Sequence, residues 1–348
     1  MIQKNISLAQ YTTFHIGGKA EFFAEIKRKE ELGEVINFAK KHKLKIFILG
    51  RGSNVLLPDK GIKGLVLKMS IKGIIFQDNI VYAGAGEKWD KVVAMAVSKN
   101  LGGIENLSLI PGTVGGAVYQ NIGAYGAELK DVLESVDVFD IKSGEIKKLS
   151  NKECLFAYRT SIFQKSAGKN YIIFGVILKL STIFFPNIKY PDLTKNFNLY
   201  SHYDRALDTI SKITLNEIRK AVIKIRKSKL DYPTASIGTA GSFFKNPVIT
   251  ISNFQFLISN RPDIKGRDLG NGLVKLSAGQ LIEMAWWKGK QFRNVGVSEK
   301  HALVLVSYKK AKAKDILRLA NKIQKSVKTK FGVTLEPEVK IYGKHGIM

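Results

Sequence analysis

A single cysteine, Cys154, in 348 residues rules out an internal disulfide and suits a reducing compartment. The five histidines are scattered and show no metal-ligand spacing. No apolar run approaches the ~20 residues of a membrane span. The first residues, MIQKNISLAQYTTFHIGG, lack the apolar stretch and cleavage site of a secretory signal. Acidic residues are few: 29 Asp and Glu against 56 Lys and Arg leave a formal net charge of +27. The cations are spread along the chain rather than gathered in an arm, and fall mostly on helical surface positions such as 217–229 and 312–330. No RNA-recognition, helix-turn-helix or zinc-finger pattern accompanies them, so no nucleic-acid partner is expected. The excess reads as a solvated lysine-rich surface that can also steer anionic substrates. These absences describe a cytoplasmic, globular chain without structural metal or membrane insertion. Its length allows two or three domains.

What is present begins with alternating helix and strand. Apolar residues at Leu32, Val35, Ile36 and Ala39 predict a helix over 29–42, followed by strands over 45–49 and 64–68. Residues 74–76 and 80–83 read as a hairpin about Asp78-Asn79, and 88–99 as a helix buried through Trp89, Val92, Val93 and Ala96. Strands are expected over 135–140 and 171–180. Residues 181–206, with two prolines and several Asn and Asp, break the rhythm and read as a functional loop. The pattern resets with a helix over 215–229, capped by Thr214 with Glu217 three residues on, and closes with a helix over 313–329.

The densest signal is glycine. Residues 107–128, LSLIPGTVGGAVYQNIGAYGAE, carry Gly112, Gly115, Gly116, Gly123 and Gly126, with Gly103 just upstream. Glycine costs backbone entropy and is retained where backbone bends sharply or approaches something closely. Unobstructed backbone N–H groups make a phosphate cradle. A second such loop, Gly50-Arg51-Gly52-Ser53-Asn54, follows the strand expected over 45–49. The Rossmann fingerprint fails, because the sixth position from Gly50 is Val55, and no nucleoside-triphosphate P-loop occurs. Either loop alone reads equally as a tight turn; the pair points to a dinucleotide held from two sides.

Four clusters could do chemistry. Tyr158-Arg159-Thr160-Ser161, between strand-like flanks, offers a carboxylate anchor or a structural ion pair. Gly238 to Pro247 crowds small residues before Ser242 and an aromatic pair after it, which suits a hydroxyl near a ligand or a plain turn. There is no Gly-x-Ser-x-Gly elbow to make Ser242 a hydrolase nucleophile. Leu335-Glu336-Pro337-Glu338-Val339 reads as an extended segment with both carboxylates on one face. Tyr190 lies in the middle of the irregular loop, where it could swing onto a substrate.

In conjunction, Gly-Arg-Gly-Ser-Asn, Ile-Pro-Gly-Thr-Val-Gly-Gly-Ala, Tyr-Arg-Thr-Ser, Gly-Thr-Ala-Gly-Ser-Phe-Phe-Lys-Asn-Pro and Leu-Glu-Pro-Glu-Val resemble the UDP-N-acetylenolpyruvoylglucosamine reductase family, from about Thr12 to Tyr342. The loop around Tyr190 resembles the subgroup with a tyrosine lid. The resemblance implies an α+β chain: a two-subdomain FAD-binding fold of the PCMH/vanillyl-alcohol-oxidase type, 1–70 and 71–205, and a C-terminal α+β substrate domain, 206–348. It implies a monomer that uses NADPH and FAD to reduce UDP-N-acetylglucosamine enolpyruvate to UDP-N-acetylmuramate for the cell wall. FAD is expected on Gly50, Arg51, Gly52, Ser53, Asn54, Pro111, Gly112, Thr113, Gly115, Gly116, Ala117, Asn121, Gly123 and Ala124. The first loop lacks the histidine of covalent flavoproteins, so the attachment is expected to be non-covalent.

Carried over by motif, Ser242 matches the family's proton donor, Arg159 its catalytic arginine and Glu338 its catalytic glutamate. Tyr190, Lys229 and Asn246 match substrate-binding positions. Met284 stands where a substrate-contacting glutamine is common. Two other readings compete: a different flavin oxidoreductase of the same superfamily, which leaves the Ser242 and Glu338 clusters unexplained, and a colourless nucleic-acid-binding module.

Overall fold

The computed structural model describes residues 2–197, 212–343 and 346–347. The chain divides into two compact units: Met1–Lys4, Phe22–Arg51 and Gly64–Lys227 form one, and Asn5–Glu21, Gly52–Lys63 and Ser228–Met348 the other.

In the first unit, α1 (Glu31–Lys41) buries Leu32, Val35, Ile36 and Ala39, the stripe its apolar spacing dictates. It packs in a core with Leu65, Leu67, Ile172 and Phe174. Strands β1 (Ile46–Leu49) and β2 (Ile62–Met69) pair in parallel, with Ile46 opposite Leu65 and Leu49 opposite Lys68. An antiparallel five-stranded sheet is built from β3 (Ile74–Gln77), β4 (Ile80–Gly84), β5 (Leu133–Asp140), β6 (Ile146–Ser150) and β7 (Tyr171–Lys179), in the order β6-β5-β7-β4-β3. The β3–β4 turn takes its expected place, with Asp78 at φ 50°. Helix α2 (Trp89–Ser98) buries Trp89, Val92, Val93, Ala96 and Val97 beside this sheet, and the Trp89 indole N–H donates to the Leu107 carbonyl at 2.9 Å. The glycine segment forms the short helix α3 (Val114–Gln120).

The stretch expected to be irregular from 181 contains a six-residue helix, Pro191–Asn196, started by proline at a position where its missing N–H costs nothing. Residues 198–206 of that stretch, and the expected domain boundary at 205/206, lie outside the described residues. Helix α4 (Leu215–Lys229) opens on a capping box: Thr214 N–H donates to the Glu217 carboxylate at 2.8 Å and Glu217 N–H to Thr214 Oγ1 at 3.2 Å.

In the second unit, β8 (Gly238–Ser242) pairs antiparallel with Val304–Ser307, which pairs in turn with Val295–Val297. Helices α5 (Ala278–Met284) and α6 (Ala313–Phe331) close the core, α6 through Ile316, Leu319, Ala320, Ile323 and Val327. The Asp59 carboxylate accepts from the Ala313 and Lys314 N–H groups at 2.8 and 3.2 Å, satisfying donors at the positive end of α6. The segment expected to be extended over 335–339 bridges Phe244 at Pro337, with Lys245 N–H donating to the Glu336 carbonyl at 2.9 Å, and regular strand begins at Lys340.

Candidate active site

The two glycine loops converge. The first leaves β1 at Gly50, where an added Cβ would lie 2.9 Å from Thr113 Oγ1, so the absence of a side chain leaves room for the threonine. Thr113 in turn caps α3, its hydroxyl accepting from Gly116 N–H at 3.4 Å, while Gly115 N–H donates to the Ala85 carbonyl at 2.9 Å. Pro111 and Arg51 are exposed on either loop. Glycine-rich backbone brought together from two stretches of the chain, with small side chains around it, suits a diphosphate, so these residues fit FAD. Two of the expected cofactor residues have side chains engaged elsewhere. Ala117 belongs to the core. Asn121, 1% exposed, donates to Glu128 Oε2 at 3.0 Å and the Ala157 carbonyl at 3.2 Å and accepts from Lys130 N–H at 3.1 Å.

Arg159 does not lie between strands. Ala157 and Thr160 bridge one another, making 158–159 a tight turn with Arg159 at φ 55°. Ser161 Oγ and Gln164 Nε2 donate to the Tyr119 carbonyl at 2.7 and 2.8 Å, tying that turn to α3. The guanidinium therefore sits at the glycine segment: a Cβ on Gly123 would be 3.4 Å from Arg159 Nη1. Tyr190, 41% exposed, sets its ring edge-on to Tyr125 with centroids 5.2 Å apart.

The second unit gathers the other candidates. Gly52 is at φ 66°, and its carbonyl accepts from Thr13 N–H at 3.1 Å. Asn54 Nδ2 donates to the Glu338 carbonyl at 3.2 Å, and Lys340 N–H to the Asn54 carbonyl at 3.0 Å. Glu338 N–H donates to the Phe243 carbonyl at 2.7 Å. Ser242, at the end of β8 behind Gly241 (φ 73°) and an irregularity in the ladder, is thus held on backbone adjoining Glu338. Phe243 and Phe244, 0% and 1% exposed, lock the following residues into the core. Burial pushes the Lys340 ammonium's pKa down, as does the Lys245 charge; the Glu338 carboxylate opposes them. Lys245 and Glu336 form a surface pair at 3.3 Å, of the kind worth little. Asn246 Oδ1 accepts from Ala278 N–H at 3.0 Å at the start of α5, and Lys229 is exposed at the end of α4. Met284 packs its side chain against the core, while its carbonyl accepts from Lys330 Nζ at 2.7 Å. Among the described residues no group of His, Cys, Asp and Glu could hold a metal ion, and no helix is long and apolar enough to cross a membrane.

Sequence reasoning missed the polar groups around 102–109. Arg219 on α4 grips Asp90 on α2 with two nitrogens at 2.7 and 3.0 Å, and Ser108 Oγ accepts from Arg219 at 2.9 Å. Burial raises the pKa of Asp90, but the bonds from Arg219 and the Leu109 N–H outweigh it and hold the carboxyl below its usual range. Asn106, 0% exposed, donates to two backbone carbonyls. The partners are 19 to 129 residues away in sequence, and no local pattern announces them.

Comparison with known proteins agrees in both halves of the chain. Residues 20–150 match a family model described as an FAD binding domain, and 232–342 one described as the C-terminal domain of UDP-N-acetylenolpyruvoylglucosamine reductase. The reductase of that name from Flavobacterium johnsoniae is 41% identical over 350 residues, covering 98% of this chain and 99% of the relative. That of Amoebophilus asiaticus is 42% identical over 347 residues, with the same coverage. The crystal structure of the Thermus caldophilus UDP-N-acetylenolpyruvylglucosamine reductase superposes with a TM-score of 0.67 at 25% identity, covering 99% of this chain and 100% of that one.

Proposed function

The chain belongs to the UDP-N-acetylenolpyruvoylglucosamine reductase family, an FAD-dependent oxidoreductase of peptidoglycan-precursor synthesis, and from that premise we propose how its residues divide the reaction. NADPH is the electron donor, and the product is UDP-N-acetylmuramate. The enzyme works as a cytoplasmic monomer, in a step on which cell shape and division depend. FAD, held non-covalently by 50–54 and 111–124, supplies the two-electron carrier between the nicotinamide and the enolpyruvyl double bond.

Reduction places a hydrogen with its electron pair on the terminal carbon, so negative charge develops on the carbon beside the carboxylate and spreads into it. Arg159 stabilises that charge through its guanidinium. Ser242 gives the carbon its proton: the alcohol is a weak acid, but the enolate is basic enough to take it, and solvent restores the hydroxyl. Glu338 orients the reacting groups and balances the local charge. Tyr190, Lys229 and Asn246 hold the UDP-sugar.

The observation that carries this reading is the 2.7 Å bond from Glu338 N–H to the Phe243 carbonyl, which sets the proton donor and the glutamate on adjoining backbone. The test separates the half-reactions. Ser242→Ala is expected to stay yellow and bleach normally with NADPH, then reoxidise ~10²–10⁴-fold more slowly with the enolpyruvyl sugar under anaerobic conditions. Ser242→Cys is expected to recover part of that rate. Reoxidation of the alanine variant at the wild-type rate would assign the proton to another group.

A further inference from the structure

The segment that carries Tyr190 is fastened to one short stretch of the first unit. Ser181 and Gly102 exchange backbone hydrogen bonds at 2.9 and 3.0 Å. Four residues on, Asn106 Nδ2 donates to the Tyr125 carbonyl at 2.8 Å and to the Asn187 carbonyl at 2.7 Å. Two residues further, Ser108 accepts from Arg219, on the helix that resumes beyond the segment. Residues 102–108 thus hold the chain before Tyr190 at two points and after it at a third.

Asn106 is the contact nearest the tyrosine. Two carbonyl oxygens face its Nδ2, which settles the amide orientation, since the flipped group would set oxygen against both. Its Oδ1 is buried without a hydrogen-bond partner among the described residues. An unused buried acceptor is a cost to the fold, so the value of this side chain lies in its two donated bonds. Those bonds join the Tyr125 turn to the backbone three residues before Tyr190. Asn187 Nδ2 adds a second tie to the Gly126 carbonyl at 3.1 Å. Beyond the tyrosine, Thr194 Oγ1 donates to the Ile188 and Tyr190 carbonyls at 2.7 and 3.2 Å. The edge-on Tyr125–Tyr190 contact is the outcome of this strapping.

We propose that Asn106 is a positioning residue for UDP-sugar binding: by joining the Tyr125 and Asn187 carbonyls it fixes where the Tyr190 side chain is presented. This rests on the reading of Tyr190 as a substrate-binding residue. Asn106 is buried behind the tyrosine segment and acts through it. Misplacement of a binding group by ~1 Å is enough to cost up to about a hundredfold in rate.

The experiment measures KM for UDP-N-acetylglucosamine enolpyruvate, the rate of flavin reduction by NADPH, and FAD content. Asn106→Ala is expected to raise KM about tenfold and leave flavin reduction and FAD content within twofold of wild type. Asn106→Asp, the same shape with acceptors in place of donors, is expected to do at least as much. If Asn106→Ala loses FAD or unfolds, the positioning role is refuted in favour of a core role, unless Asn187→Ala, at the segment itself, raises KM severalfold with flavin reduction unchanged. In a Tyr190→Phe background the Asn106→Ala effect on KM is expected to shrink to under threefold. A full tenfold effect there overturns the proposal while leaving Tyr190 as a substrate residue. An unchanged KM for Tyr190→Phe itself overturns the substrate reading, which is a separate failure.

Discussion

Replacing Arg219 by Met tests the ion pair that fastens α4 to α2. The two side chains are 14% and 31% exposed, and the guanidinium makes three bonds, two to Asp90 and one to Ser108. A fully buried pair broken on one side costs ~3–5 kcal/mol, an exposed one under about 1 kcal/mol. Partial exposure places Arg219→Met between them, at about 2–3 kcal/mol, since methionine keeps the aliphatic stem but strands the carboxylate. In a unit of about 200 residues each kcal/mol moves the midpoint by ~2–4 °C, so the first unit is expected to melt roughly 4–12 °C lower. The pH dependence follows from Asp90, whose carboxyl is held below its ordinary value in the folded state. Such a group contributes its full stability above the unfolded pKa near ~3.9 and loses it as pH falls through the depressed folded value. The gap between wild type and variant should therefore be constant from pH 8 to about 5 and close only below about 4. Urea unfolding followed by circular dichroism at four pH values measures it. A gap under 0.5 kcal/mol, or one that closes between pH 8 and 6, would refute the assignment.

Two further outcomes follow from burial and backbone geometry. Cys154, 0% exposed with its thiol pushed up to about 12 by burial and the Glu153 charge, is expected to resist iodoacetamide at pH 8 and to alkylate fully in urea; labelling of the native protein would contradict that environment. Gly52→Ala would put a Cβ 2.1 Å from the Tyr11 carbonyl oxygen at φ 66°, so the loop must shift, and the purified variant is expected to carry substoichiometric FAD. A variant with full flavin content and an unchanged melting point would show that the loop tolerates a side chain there.

The local elements were legible because each is decided within a dozen residues. The buried stripe of α1 is Leu32, Val35, Ile36 and Ala39, as its spacing predicts, and Thr214 caps α4 with Glu217. The convergence of two glycine loops was also open to inference, since a diphosphate explains both, and Gly50 indeed meets Thr113. The Arg159 turn was not, because its flanks alternate like strands while the bridge closing it encloses only two residues. The Leu335–Val339 stretch is extended as its sequence implies, with Lys245 N–H bonded to the Glu336 carbonyl and Glu338 N–H to the Phe243 carbonyl on either side of Pro337. The polar frame is a harder case. A lone asparagine between Glu105 and Leu107 has no pattern to read, and its meaning lies in carbonyls at 125 and 187 that any residue type could supply. Backbone acceptors leave no mark on side-chain composition. Motifs therefore point to residues with chemistry to offer, whereas the buried polar ties made by Asn106 and Arg219 emerge only once the chain has folded.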